Sequence, residues 1–230
     1  MKRFMVVAAL AGMMCLAAAG AQAALLNGSF ESGAFDPGSF TTLYSVDTSL
    51  AGWAVYKGSV DWIGSYWNAA DGSRSIDLNG ASPGGIAQSF TTVPGQAYIV
   101  TFNLAGNPGG GPEAASKTLT AGVKNVYTGT ILYSDATLGF NTTGKTTSAM
   151  GWAPQSFQFV AASNLTSIWF ESTTDNPTFT FPAYGVYGTN PFGPALDGIS
   201  VAAVPIPGTL ILLGSGLLGL VGIARRRSRK

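Results

Sequence analysis

Between residues 75 and 201 the chain repeats one pattern, in which apolar and polar residues alternate over short runs broken by glycine and proline. Ser75-Ile76-Asp77-Leu78 alternates in this way, and so do residues 86–90, 98–104, 156–160, 167–170 and 196–201. β-branched and aromatic side chains at every second position suit a pleated strand with one buried face, so each run predicts a strand. Within the first run, Asp77 points away from the face shared by Ile76 and Leu78. Turn signals separate the runs: Asp36-Pro37-Gly38, Asp71-Gly72, Pro83-Gly84-Gly85, Val93-Pro94-Gly95 and Asn107-Pro108-Gly109. No segment between residues 24 and 203 shows a clear helical period. Many short strands with turns between them predict an all-β fold, an antiparallel β-sandwich, and roughly 180 residues are enough for one such domain.

The two ends follow different rules. Lys2 and Arg3 precede an apolar stretch over residues 4–18, and Ala21-Gln22-Ala23 offers small residues on either side of Gln22. This is the pattern of a secretory signal peptide over residues 1–23, cut by signal peptidase after Ala23. At the other end, Pro205-Ile206-Pro207 leads into an apolar run over residues 210–224, followed by Arg225-Arg226-Arg227-Ser228-Arg229-Lys230. The uncharged stretch covers roughly 19 residues, long enough to cross a hydrocarbon core of about 30 Å as a transmembrane helix. The basic cluster behind it would stay on the cytoplasmic side of the inner membrane. Residues 204–230 resemble the PEP-CTERM sorting signal of Gram-negative bacteria, in which a proline motif, a Gly/Leu-rich span and an arginine cluster follow one another. Ile206 stands where that motif usually carries Glu. The resemblance implies transient membrane anchoring and cleavage near Pro205 and Pro207 by an exosortase-like protease. A plain membrane anchor is the alternative, but it has no physical need for two prolines that stiffen the entrance to the span.

Removing the ends changes the charge. Seven of the twelve basic residues lie in them, which leaves five bases against eleven acids and a net charge of −6 on residues 24–203. A nucleic-acid binder needs clustered Lys and Arg to displace counterions from phosphates, and this domain has no such cluster. The chain has no histidine, and its one cysteine, Cys15, lies in the signal peptide. That excludes Ser-His-Asp and Cys-His nucleophiles and a structural zinc or iron–sulfur site. Paired carboxylates remain available for glycoside hydrolysis, with Asp61, Asp71, Asp77, Glu113 and Glu171 as candidates, but nothing in the sequence sets two of them at the needed spacing.

Aromatic residues are densest from Tyr56 to Trp67. Sugar rings stack on such side chains while polar neighbours hydrogen-bond the hydroxyls. Tyr66 and Trp67 are the expected platform, with Asp61, Asn68 and Arg74 beside them. Trp53 and Trp62 are expected in the core, and Trp152 and Trp169 in core or edge packing.

A second resemblance rests on motifs in order along the chain. They are Asn27-Gly28-Ser29-Phe30-Glu31, Gly52-Trp53, Gly58-Ser59-Val60-Asp61-Trp62-Ile63, Arg74-Ser75-Ile76-Asp77-Leu78-Asn79-Gly80, residues 83–90, Leu104-Ala105-Gly106-Asn107-Pro108 and residues 195–201. Together they resemble the choice-of-anchor C family of bacterial surface proteins. The resemblance implies a galactose-binding-like jelly roll, in which Glu31 and Asp197, at the two ends of the domain, would share a structural calcium ion. The expected protein is exported to the cell surface or matrix, non-enzymatic and glycan-binding, with extracellular polysaccharide as its partner. The alternatives are a carboxylate-dependent glycoside hydrolase and a purely structural or adhesive matrix protein.

Overall fold

The computed structural model describes residues 25–110, 115–174 and 191–205, together with the backbone of Thr180–Phe181 and Gly185–Val186. The predicted signal peptide with Ala21 and Ala23, and the tail with Pro207, Arg225, Arg226 and Arg227, lie outside the described residues.

Each of the six alternating runs lies within or overlaps a strand: β4 (Ser75–Asp77), β5 (Gly85–Thr91), β6 (Ala97–Gly106), β9 (Ala153–Val160), β10 (Leu165–Ser172) and β13 (Pro194–Ala203). Five further strands had no clean alternation to announce them: β1 (Phe40–Tyr44), β2 (Ala54–Lys57), β3 (Ser59–Ile63), β7 (Ser116–Asn125) and β8 (Ile131–Asn141). The reason is clearest in β8. It is an edge strand with no fully buried position, so no buried face is imprinted on its sequence. A short ribbon, β11 (Thr180–Phe181) with β12 (Gly185–Val186), completes the set.

All strand pairs are antiparallel, and they build a six-stranded sheet in the order β1-β3-β4-β13-β6-β9 and a five-stranded sheet in the order β2-β5-β10-β7-β8. The sheets share one core. Val60, Trp62, Ile76 and Leu196 of the first meet Val55, Ile86, Phe90, Ile168 and Phe170 of the second. Phe30 and Trp53 close one end of this core with ring centroids 5.6 Å apart. The chain crosses from one sheet to the other between β2 and β3. The corner is Gly58, at φ +52°, where any side chain would overlap the carbonyl oxygen of Pro83.

The N-terminal motif is part of this architecture. Trp62 donates its indole N–H to the Phe30 carbonyl at 3.0 Å, and Trp53 donates to that of Asn27 at 3.0 Å. Both tryptophans are buried, as expected from the sequence.

Candidate functional site

The outer side of the six-stranded sheet is covered. Residues 64–74 and 142–152 fold over it, and Trp67 and Met150 from these segments pack with Ile63, Ala105 and Ala195 into a second hydrophobic cluster. The two segments are tied together. Asn68 takes the Thr147 carbonyl through its amide N–H at 2.9 Å and the Ser148 carbonyl through its side chain at 3.0 Å, and Trp152 donates to the Asn68 carbonyl at 2.9 Å. Trp67 is 4% exposed and donates its indole N–H to Ser75 Oγ at 2.7 Å. It is therefore a core residue and no platform for a ligand. Its face was expected to look outward, but the 142–152 segment closes over it. Asn68 likewise fastens one loop to the other. Arg74 lies 5.0 Å from the Trp62 ring and donates to the Glu31 carbonyl at 2.9 Å. It is a structural cation.

Glu31 and Asp197 act on this same covering loop. Glu31 accepts the amides of Ser73 and Arg74 at 2.8 and 2.7 Å and the Ser73 hydroxyl at 2.9 Å. Burial acts to raise its pKa, but these donors and the Arg74 charge hold Glu31 below the usual carboxylate range. Asp197 accepts the amides of Ala70 and Asp71 at 2.7 and 2.8 Å and that of Gly198 at 2.6 Å. A β-bulge between Asp197 and Ser200, with Gly198 at φ +59°, sets it in position. Burial pushes Asp197 up to about 7 against these three amides. All four carboxylate oxygens accept hydrogen bonds from N–H or O–H groups of the loop or of Gly198. The expected calcium pair is thus a pair of loop clips, and among the described residues no cluster of three or more acidic, His or Cys side chains is set to hold a metal.

Beneath this cover, Thr42, Asp61, Asp77 and Ala195 lie in one row across four strands. Asp77 is fully buried. Its Oδ1 accepts the amides of Asn79 and Gly193 at 2.9 and 3.0 Å, and its Oδ2 accepts Asn107 Nδ2 at 2.8 Å. Burial pushes it up to about 8. Lys117, also buried, donates to the Phe192 carbonyl at 2.6 Å. Burial pulls it down to about 8, and the Asp77 charge opposes that pull.

Asp61 has a different setting. It is 9% exposed, accepts the Thr42 hydroxyl at 2.6 Å, and is pushed up to about 6 by burial. It lines a cleft of about 300 Å³ with Phe40, Thr42, Ile63, Tyr66, Asn107 and Phe192. Phe40 and Tyr66 meet edge to face at 5.6 Å. Of the five expected ligand-binding residues, the fold brings Asp61 and Tyr66 to one cavity and assigns Trp67, Asn68 and Arg74 to structure. Asp61 and Asp77 face each other across β3 and β4, but Asp77 has both oxygens occupied and no exposed surface, so this pair cannot supply two carboxyl groups to one substrate.

Among the described residues, no second cluster packs over the outer side of the five-stranded sheet. Its residues alternate with the core: Ala54 and Tyr56 on β2, Ala87 and Ser89 on β5, Ser167, Trp169 and Glu171 on β10, and Gly122 and Lys124 on β7. Trp169 leans over Gly122, where a Cβ would overlap the indole, so glycine is what lets the ring lie down on the strand. Tyr56 is 42% exposed and donates its hydroxyl to Glu171 at 2.7 Å, and Lys57 pairs with the same carboxylate. Tyr56, Ala87, Lys124, Ile131 and Trp169 line a depression of about 300 Å³. A second depression of about 420 Å³, lined by Thr48, Gln88, Ser89 and Ser167 among others, shares Ala87 with the first. This groove was missed from sequence. The available signal was that Trp169 alternates with Ile168 and Phe170, which places a tryptophan on the polar face beside Ser167 and Glu171.

Residues 23–202 match the model of a family described as protein of unknown function (DUF642). The chain belongs to that family. A stretch of 85 residues, 35% of the chain, is 44% identical to Halomucin of Haloquadratum walsbyi (strain DSM 16790 / HBSQ001), and the match spans 1% of that protein. Among solved structures, the CBM22-1 xylan-binding domain of Xyn10C from Paenibacillus barcinonensis is 14% identical and aligns over 76% of this chain and 99% of its own length, with a TM-score of 0.43. TmCBM61, solved in complex with beta-1,4-galactotriose, is 16% identical over 78% of this chain and 97% of its own, with a TM-score of 0.41.

Proposed function

We propose that this is an exported, non-catalytic glycan-binding protein of the cell envelope or extracellular matrix, with its principal site on the open sheet. The observation that carries this reading is Trp169, laid on Gly122 at the outer surface and flanked by Tyr56. An indole and a phenol ring on a floor of Ala and Ser present apolar faces to sugar C–H groups. Ser89 offers a hydroxyl beside them, and Lys124, whose ammonium lies 5.9 Å from the Trp169 ring centroid, adds a charged rim. Two depressions sharing Ala87 suit an extended polysaccharide chain better than a single compact ligand.

The rest of the reading follows the sequence. The domain is a galactose-binding-like jelly roll of the choice-of-anchor C type. It is cut by signal peptidase, held briefly in the inner membrane by its tail, and released by an exosortase-like protease to the surface of a Gram-negative cell. No catalytic role is assigned, because the acid that faces Asp61 is closed to substrate.

Affinity electrophoresis through gels containing the producing cell's exopolysaccharide, or defined neutral glycans, tests the site. Retention with Kd of tens of micromolar to millimolar is expected, about −4 to −6 kcal/mol, and Trp169→Ala or Tyr56→Ala should weaken it. Unchanged retention in both variants, with the fold intact, overturns the reading in favour of a structural matrix protein. Sorting is tested by the intact mass of protein from cells and medium, which should begin at Ala24 and end between Val204 and Pro207. A mature surface protein that still carries Arg225, Arg226 and Arg227 overturns the processing.

A further inference from the structure

The Asp61 cleft lies on the opposite sheet from the Trp169 groove and is built from other elements. Its walls are three aromatic rings, Phe40 from β1, Tyr66 from the covering loop and Phe192 from the segment before β13. Its polar floor is a carboxylate that is nine-tenths buried and receives one hydroxyl hydrogen bond, from Thr42 to Oδ1. Asn107, the other polar side chain at the floor, is already engaged, with its Nδ2 on Asp77 and its Oδ1 accepting the Gly109 amide at 2.9 Å. Lys117, the cation next to this region, is held on the Phe192 carbonyl and offset by Asp77. Among the described residues, then, no cation lines the cleft, and Asp61 brings a negative charge to it that its neighbours do not balance.

A carboxylate at the floor and aromatic faces on the walls attract the same kind of ligand, one with a positive charge on a ring-shaped apolar body. A neutral sugar would use the rings but gain only ordinary hydrogen bonds from Asp61. An ammonium group would also pair with it out of bulk water. The volume of about 300 Å³ is at the lower end for small-molecule sites and suits one or two ring units.

We propose that this cleft is a second, separate binding site for an amine-bearing sugar unit, a hexosamine with a free ammonium group. The choice of a sugar to carry the amine rests on the glycan reading above, whereas the demand for a cation rests on Asp61 alone.

The test uses the Trp169→Ala protein, so that the open groove does not contribute. It is titrated with a β-1,4-linked glucosamine trisaccharide, its fully N-acetylated counterpart and an uncharged glucose trisaccharide. The free-amine sugar is expected to bind, with the other two at least about tenfold weaker. Asp61→Asn, which keeps an acceptor for Thr42, should erase that preference. Phe40→Ala, at an exposed position, should weaken binding of the free-amine sugar about fivefold without moving the melting temperature. Equal binding of all three sugars, an undiminished preference in Asp61→Asn, or no binding of the free-amine sugar up to about 10 mM overturns the proposal. Failure of the open-groove reading would instead appear with wild-type protein in gels of defined neutral glycans, as retention that Trp169→Ala and Tyr56→Ala leave unchanged.

Discussion

Strand β3 reads Ser-Val-Asp-Trp-Ile and strand β10 reads Leu-Thr-Ser-Ile-Trp-Phe-Glu-Ser. Both turn one set of residues to the shared core. In β3 every residue is buried on both sides, whereas β10 leaves Trp169 and Glu171 partly in contact with solvent. The difference lies outside the strands. Two loops, tied to each other through Asn68 and clipped down by Glu31 and Asp197, cover the outer side of β3. No second cluster forms among the described residues over β10. A tryptophan in the covering loop, Trp67, is thereby structural, and a tryptophan on the other sheet, Trp169, stays half-buried at the outer surface.

The sharpest way to break this contrast is Trp67→Ala. It should cost about 3–5 kcal/mol by opening a cavity in a closed cluster and freeing Ser75, read as a fall in denaturation midpoint. A loss below about 1 kcal/mol would mean that the cover is loose and the two faces are alike.

Next in size is Asp197→Ala, which removes the acceptor for three amides and should cost about 2 kcal/mol in thermal or denaturant melts. The same melts with and without a chelator should coincide, because these carboxylate oxygens already serve the loop. A chelator-dependent melt that Asp197→Ala abolishes would restore calcium.

Trp169→Ala should leave the fold nearly unchanged while lowering polysaccharide affinity about tenfold, or about 1.4 kcal/mol. A large stability loss instead would make Trp169 a packing residue like Trp67.

The smallest effect concerns Asp61. Burial raises its folded pKa from 3.8 to about 6, so the folded state holds that proton to higher pH than the unfolded chain. Its contribution is therefore fully present below about pH 4 and is lost as pH rises through about 6. Wild type should lose stability relative to Asp61→Asn across that window in paired melts. A constant difference would place Asp61 in open water.

Several motif residues that suggest a binding surface serve as architecture. Glu31 and Arg74 hold a loop, Trp53 and Trp62 tie the N-terminal segment to the core, and Asp77 orders Asn79, Gly193 and Asn107. The side chains best placed for a ligand, Tyr56 and Trp169, fall outside those motifs.

The sequence by itself determined that the domain is a set of antiparallel strands, and which face of six of them meets the core, because alternation is a local property with a period of two. It determined that Trp53 and Trp62 are buried and that Asp77 opposes Ile76. It also determined that no histidine is available and that the one cysteine, Cys15, lies outside residues 24–203. Only the tertiary structure decided what lies over the outer face of each sheet. Alternation distinguishes two sides of a strand, but it is silent on whether a loop distant in sequence returns to cover the polar side. Segment 142–152 does so for Trp67 through Met150, residues 191–193 approach Asp61 and Asp77, and no described segment does so for Trp169. For that reason the sequence alone could set Asp61 beside Tyr66, which line one cleft, while the burial of Trp67 and the partial exposure of Trp169 required the fold.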